Sequence, residues 1–247
     1  MPRPLRPVCP LIILVCLLSS TALAQGDTKD EIHLFQSFFR DAPITANAYA
    51  AGHFNYSNFD FLNTITAGGR VGYAVTPELE VTAGLSYMDL NFDGPGREDG
   101  LSDVPVFVRY SFLGEETKLS GGVFGTIPVG GENIGNGNFN FGFFGAVRHP
   151  VSDEVVLTGN LGVDFLETAI EDYEASLHLG AGVIYEASEN VHVLGELGVQ
   201  ADTDDSSISG GVDYLITDSV HLRGNLLLGT DQGAADFGLT GELLVHF

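Results

Sequence analysis

Four arginines and four glutamates hold most of the chemistry this sequence offers. Arg70, Arg109, Arg148 and Arg223, with Glu80, Glu186, Glu196 and Glu242, stand in stretches where apolar residues alternate with small or polar ones. All eight fall on the small or polar side. Charges enclosed together must pair, because an unpaired buried charge is costly. Two roles are open to such a set: a constriction that selects solutes, or a salt-bridge network that fills a narrow interior.

Other chemistry is thinly supplied. None of the seven His is followed two places later by Ser, and the acidic cluster Asp202, Asp204 and Asp205 has no His near it in sequence, so no enzyme is expected. Both cysteines, Cys9 and Cys16, lie in the N-terminal segment, which leaves the rest of the chain without a disulfide, thiolate ligand or cysteine nucleophile. The stretches Asp89 to Asp103 and Asp202 to Asp205 offer oxygen ligands for Ca²⁺ or for divalent bridges to lipopolysaccharide. Their spacing matches no calcium loop, and a generic negative rim is the simpler reading. Gly94-Pro95-Gly96 and Gly135-Asn136-Gly137 read as turns, with no following helix to cap a phosphate. No cofactor or metal is expected.

The elements that must position the eight charges follow from a period of two. Leu79, Val81, Ala83, Leu85 and Tyr87 alternate with Glu80, Thr82, Gly84, Ser86 and Met88, and the same pattern runs to the last residue. Twelve such runs are predicted, near 46–57, 63–75, 79–91, 101–112, 118–129, 138–149, 155–166, 173–187, 191–202, 206–216, 220–230 and 236–247. Every second connection is tight and polar, as at Thr76-Pro77-Glu78, Ser152-Asp153-Glu154, Ser188-Glu189-Asn190 and Thr217-Asp218-Ser219. Runs of ten or more residues, tilted by about 40°, suit the ~25 Å apolar band of an outer-membrane barrel. The expected fold is therefore all-β, an antiparallel up-and-down transmembrane barrel of about twelve strands.

Two features set the apolar face outward. After Gln25, Lys occurs only at Lys29 and Lys118, whereas a water-facing sheet exterior carries far more charge. Aromatics of the apolar face also gather in two girdles: Tyr73, Tyr110, Tyr185, Tyr214 and Phe247 near the short turns, and Phe54, Tyr56, Tyr87, Phe139, Phe165, Tyr173 and Phe237 near the long loops.

At the N-terminus, Arg3 and Arg6 precede an apolar run, Leu11 to Leu18, and the small-residue site Ala22-Leu23-Ala24. That order predicts a cleaved signal peptide over residues 1–24 and export to the Gram-negative outer membrane. Residues 25–45 form an N-terminal periplasmic segment or plug, and 46–247 the barrel. With Ile32, Leu34, Phe35, Phe38 and Phe39, the segment is apolar enough to order. A plug, a tether and an extension of the first strand all remain open to it. Without Arg3 and Arg6, eight basic residues face 33 acidic ones, a net charge of −25 that makes nucleic acid an unsuitable partner.

The run Phe237 to Phe247, ending in Phe, resembles the C-terminal signal that outer-membrane barrels present to their assembly machinery. Gly100-Leu101-Ser102-Asp103-Val104, Val108-Arg109-Tyr110-Ser111-Phe112 and Gly125-Thr126-Ile127-Pro128-Val129-Gly130 resemble the outer-membrane transporter family associated with the meta-pathway of phenol degradation. Arg109 stands where that family more often has Lys, and Val129 where it usually has Thr. The resemblance implies a barrel passing small, hydrophobic or aromatic compounds. The expectation is a passive channel for small solutes; the alternative is a closed structural or surface-interaction barrel. Expected partners are outer-membrane lipid and lipopolysaccharide, the assembly machinery, and a small-molecule solute.

Overall fold

The computed structural model describes residues 31–94, 96–113, 116–131, 134–135, 137–167, 173–201 and 205–247. The expected signal peptide and most of the acidic stretch Asp202 to Asp205 lie outside them. Thirteen strands form among the described residues: β1 (Ala48–Phe59), β2 (Leu62–Thr76), β3 (Leu79–Phe92), β4 (Arg97–Leu101), β5 (Val104–Leu113), β6 (Lys118–Ile127), β7 (Phe141–Pro150), β8 (Val155–Glu167), β9 (Tyr173–Ser188), β10 (Val191–Gln200), β11 (Asp205–Thr217), β12 (Val220–Gly229) and β13 (Phe237–His246).

Twelve of them close into an antiparallel barrel. Each pairs with its neighbours in the wall, and β1 meets β13 from Tyr49↔His246 to Asn58↔Phe237, so no wall strand is left with a free edge. The remaining strand, β4, pairs with β3 from Tyr87↔Leu101 to Asn91↔Arg97. It lies on the same edge of β3 as β5, one residue out of register with it, so it continues the β5 wall strand across a bulge at Ser102-Asp103, and the predicted run 101–112 falls within that strand. The Asp93-Gly94 turn lets the chain fold back, and Arg97 secures it by donating to both carboxylate oxygens of Asp89.

The two faces separate as the alternation requires. Leu161 and Leu226 are 52% and 46% exposed, whereas their neighbours Asn160 and Asn225 are 5% and 9% exposed. An exterior of Leu, Val, Ile and aromatic residues over the whole wall is a surface for lipid. Both girdles lie on it, with Tyr73, Tyr110, Tyr185 and Tyr214 exposed at the short-turn end and Phe54, Tyr87, Phe139 and Tyr173 at the other. No helix among the described residues is long and apolar enough to cross a membrane.

Residues 31–45 lie inside the barrel. They enter at the short-turn end, pass the middle in a single 3-10 turn, Phe38–Arg40, and return to Thr45 just before β1. Ile32, Leu34, Phe38 and Ala42 are fully buried there. Ile32 and Leu34 pack on Val156, Ile184, Leu194 and Leu215, while Phe38 packs on Tyr49, Ala51 and Leu244. These wall residues point inward, which departs from a wholly small or polar inner face. An apolar segment inside needs apolar partners, and their burial at about 25 cal/mol per Å² favours docking. Glycine makes the room: a Cβ on Gly182 would stand 2.7 Å from the Leu34 side chain, and one on Gly211 2.5 Å from the Phe35 ring.

Candidate functional site in the barrel lumen

The wall arginines reach the inserted segment through its backbone carbonyls and its one buried acid. Arg148 donates to the Ile32 carbonyl at 2.8 Å and to the Asp41 carboxylate, whose other oxygen accepts from Thr158 Oγ1 at 2.9 Å. Arg109 donates to the Asp41 carbonyl and to Glu80, and Glu80 in turn accepts from the Thr45 amide at 2.9 Å. Arg223 donates to the His33 carbonyl, to Asp213 at 2.8 Å and to Glu242. Arg70 takes the other oxygen of Glu242, and its guanidinium lies 3.5 Å from the Phe38 ring centroid. Three of these arginines are almost fully buried, and each has a carboxylate. The pairing answers the desolvation that burial imposes.

Of the four predicted glutamates, Glu80 and Glu242 sit in ion pairs with arginine. Glu196 has a different partner: its two oxygens accept from the Phe35 and Gln36 amides at 2.6 and 2.9 Å, so it holds backbone rather than a guanidinium. Glu186 stands opposite His192 at the short-turn end of β9 and β10. Asp41, Asp164 and Asp213 were not singled out from sequence, although Asp164 and Asp213 also fall on the inward face. Their parity was the available signal. Asp41 had none, because the segment that carries it has no period.

His33 is buried among the same arginines. Its burial first, and then the positive charge of Arg109, Arg148 and Arg223, holds the imidazole well below its usual range. It is therefore carried as the neutral ring, with Thr45 Oγ1 3.3 Å from its Nε2.

Toward the long loops the lumen opens. One cavity of about 350 Å³ has Phe35, Phe38, Phe39 and Arg70 along its floor and Phe107 and His178 on its sides. Phe39, Phe107 and Phe124 stack at 4.8 and 5.2 Å, and the Arg40 guanidinium lies 4.9 Å from the Phe124 centroid while donating to Asp164 at 2.9 Å. A second, of about 260 Å³, has Gln36, Ser37, His178 and Ser207 among its walls. Arginine and stacked aromatic faces together suit a small solute with a flat apolar body or a negative group.

The acidic rim is largely self-satisfied where it is described. Asp89 holds Arg97, Asp99 accepts from the Tyr87 hydroxyl, and Asp103 accepts from the Gly130 amide at 2.9 Å. Phe247 ends the chain on the lipid face, its amide donating to the Ala48 carbonyl at 2.9 Å.

No family model and no curated protein matches this chain. Solved structures do match its fold. An outer-membrane channel from Pseudomonas putida F1 is similar with a TM-score of 0.71 at 12% identity, over 84% of this chain and 98% of that one. The KdgM porin follows at TM-score 0.55 and 12% identity, covering 80% and 99%. The CymD monoaromatic hydrocarbon channel is similar at TM-score 0.50 and 10% identity, covering 83% and 89%. All three are outer-membrane barrels, and the likeness is one of architecture.

Proposed function

We propose that this protein is an outer-membrane channel for small solutes whose periplasmic half is closed by residues 31–45 in the conformation described. The observation that carries the reading is the division of the lumen. A docked segment fills the short-turn half, and an arginine- and phenylalanine-lined vestibule opens toward the long loops. A purely structural barrel has no need of such a vestibule. Its aromatic floor favours small hydrophobic or aromatic solutes. The resemblance of the β5–β6 motifs to the phenol meta-pathway transporters supports that substrate class, as does the architecture shared with a monoaromatic hydrocarbon channel. Arg109, Arg148, Arg223, Glu80 and Glu196 then serve the docked segment first, and line a passage only when it leaves.

The ion pairs and hydrogen bonds that hold the segment to the wall favour a second reading, a permanently closed barrel. Planar-bilayer recording separates the two. The refolded chain lacking residues 1–24 is expected to show small or intermittent conductance, and the chain lacking residues 1–45 a large, steady one. A sealed barrel after the longer deletion, with its heat-dependent migration in SDS intact, rules out the channel.

A further inference from the structure

Near the short-turn end, beside the network just described, two imidazoles and a carboxylate converge. His221 of β12 and His246 of β13 bring their ring centroids to 5.1 Å, and Glu31, the first described residue of the inserted segment, joins them. One donor atom from each of the three lies within 4.8 Å of the other two. His221 is fully buried and His246 only 8% exposed, yet His221 Nε2 and both ring nitrogens of His246 have no hydrogen-bond partner among the described residues. Buried polar atoms left unmatched carry a free-energy cost, so their alignment on one point calls for an explanation.

His221 is oriented from behind. Its Nδ1 lies 2.9 Å from an Asp213 carboxylate oxygen, and Arg223 holds the other Asp213 oxygen at 2.8 Å. A carboxylate accepts only from a protonated nitrogen, so Nδ1 carries a hydrogen, and the nitrogen facing the gap beside His246 and Glu31 is Nε2, the one a metal would take. Carboxylate, imidazole and gap-facing nitrogen in that order form the supporting arrangement of histidine metal ligands.

We propose that Glu31, His221 and His246 bind a divalent transition metal of the Zn²⁺ type and so tie the start of the inserted segment to β12 and β13. Two imidazole nitrogens and one carboxylate oxygen suit Zn²⁺ and its first-row neighbours; Ca²⁺ and Mg²⁺ prefer oxygen alone. Bonds of about 2.0–2.1 Å place tetrahedral donors roughly 3.4 Å apart, so the three must draw together by about an ångström. Rotation of the His246 ring, which no hydrogen bond holds among the described residues, supplies that movement. Water or a solute group takes the fourth position.

The test uses the refolded chain lacking residues 1–24, freed of metal by chelation, in detergent. Titration is expected to give one Zn²⁺ per chain, undisplaced by excess Mg²⁺ or Ca²⁺, and Co²⁺ to show the visible absorption of a tetrahedral nitrogen–oxygen site. His246→Gln and Glu31→Gln should each weaken binding at least tenfold. Glu31→Gln lies outside the wall and should leave the barrel's heat-dependent migration in SDS unchanged. Zn²⁺ should also slow proteolysis within residues 31–45 in the parent chain but not in Glu31→Gln. Absence of stoichiometric binding, or equal affinity in parent and both variants, overturns the site. Proteolysis indifferent to bound Zn²⁺ overturns its role as a tie.

Discussion

Arg223 joins wall and inserted segment: it touches Asp213, Glu242 and the His33 carbonyl, and lies 4.4 Å from the Phe35 ring centroid. Arg109 makes a simpler case for what such a charge contributes. With Arg109→Met, Glu80 keeps only the Thr45 amide in a fully buried position. The loss should destabilise the folded barrel by about 3–5 kcal/mol. Replacing Glu80 with Leu in the same chain should recover at least half of it, since no unpaired charge is then left. Urea unfolding midpoints of the single and double variants measure both numbers. A single variant as stable as the parent shows that water reaches this pair and that the segment does not seal it.

At the scale of the strand, one residue of displacement changes solvent. Leu226→Arg places a charge in the lipid near mid-membrane and should cost about 2–4 kcal/mol, while Asn225→Arg, beside it on the luminal face, should cost well under half as much. Equal costs in refolding titrations mean that the two faces of β12 are misassigned. The inward glycines offer a second test. Gly182→Phe on β9 fills the space now taken by Leu34 without removing a charge, and should expel the inserted segment while the wall stays closed. The expected signs are faster proteolysis of residues 31–45 and a conductance raised toward that of the chain lacking them.

For the whole molecule, closure is the dominant stabilising device. Pairing of β1 with β13 leaves no wall strand from which unravelling starts. The folded protein should resist SDS at room temperature and migrate differently after boiling. Migration independent of heat contradicts a closed barrel. The inserted segment adds a second layer of stability, since it bridges β3, β5, β7, β10 and β12 by hydrogen bonds to Glu80, Arg109, Arg148, Glu196 and Arg223. Its removal should lower the unfolding midpoint while leaving the heat-dependent migration in place.

Twelve wall strands and the outward apolar face were legible in the residues alone. The reason is local: successive side chains of a strand point to opposite sides, so each run states its own faces without knowledge of the others. What the period did not show is the bulge at Ser102-Asp103, where β4 and β5 pair the same edge of β3 one residue out of register. Which charge meets which partner was not legible. Arg148 finds Asp41 at a separation of 107 residues, and Glu196 binds the amides of Phe35 and Gln36 rather than an arginine. Those contacts depend on where a segment without period comes to rest. Only the closed barrel, with its glycine-lined hollow and the arginines and Glu196 that face into it, decides that.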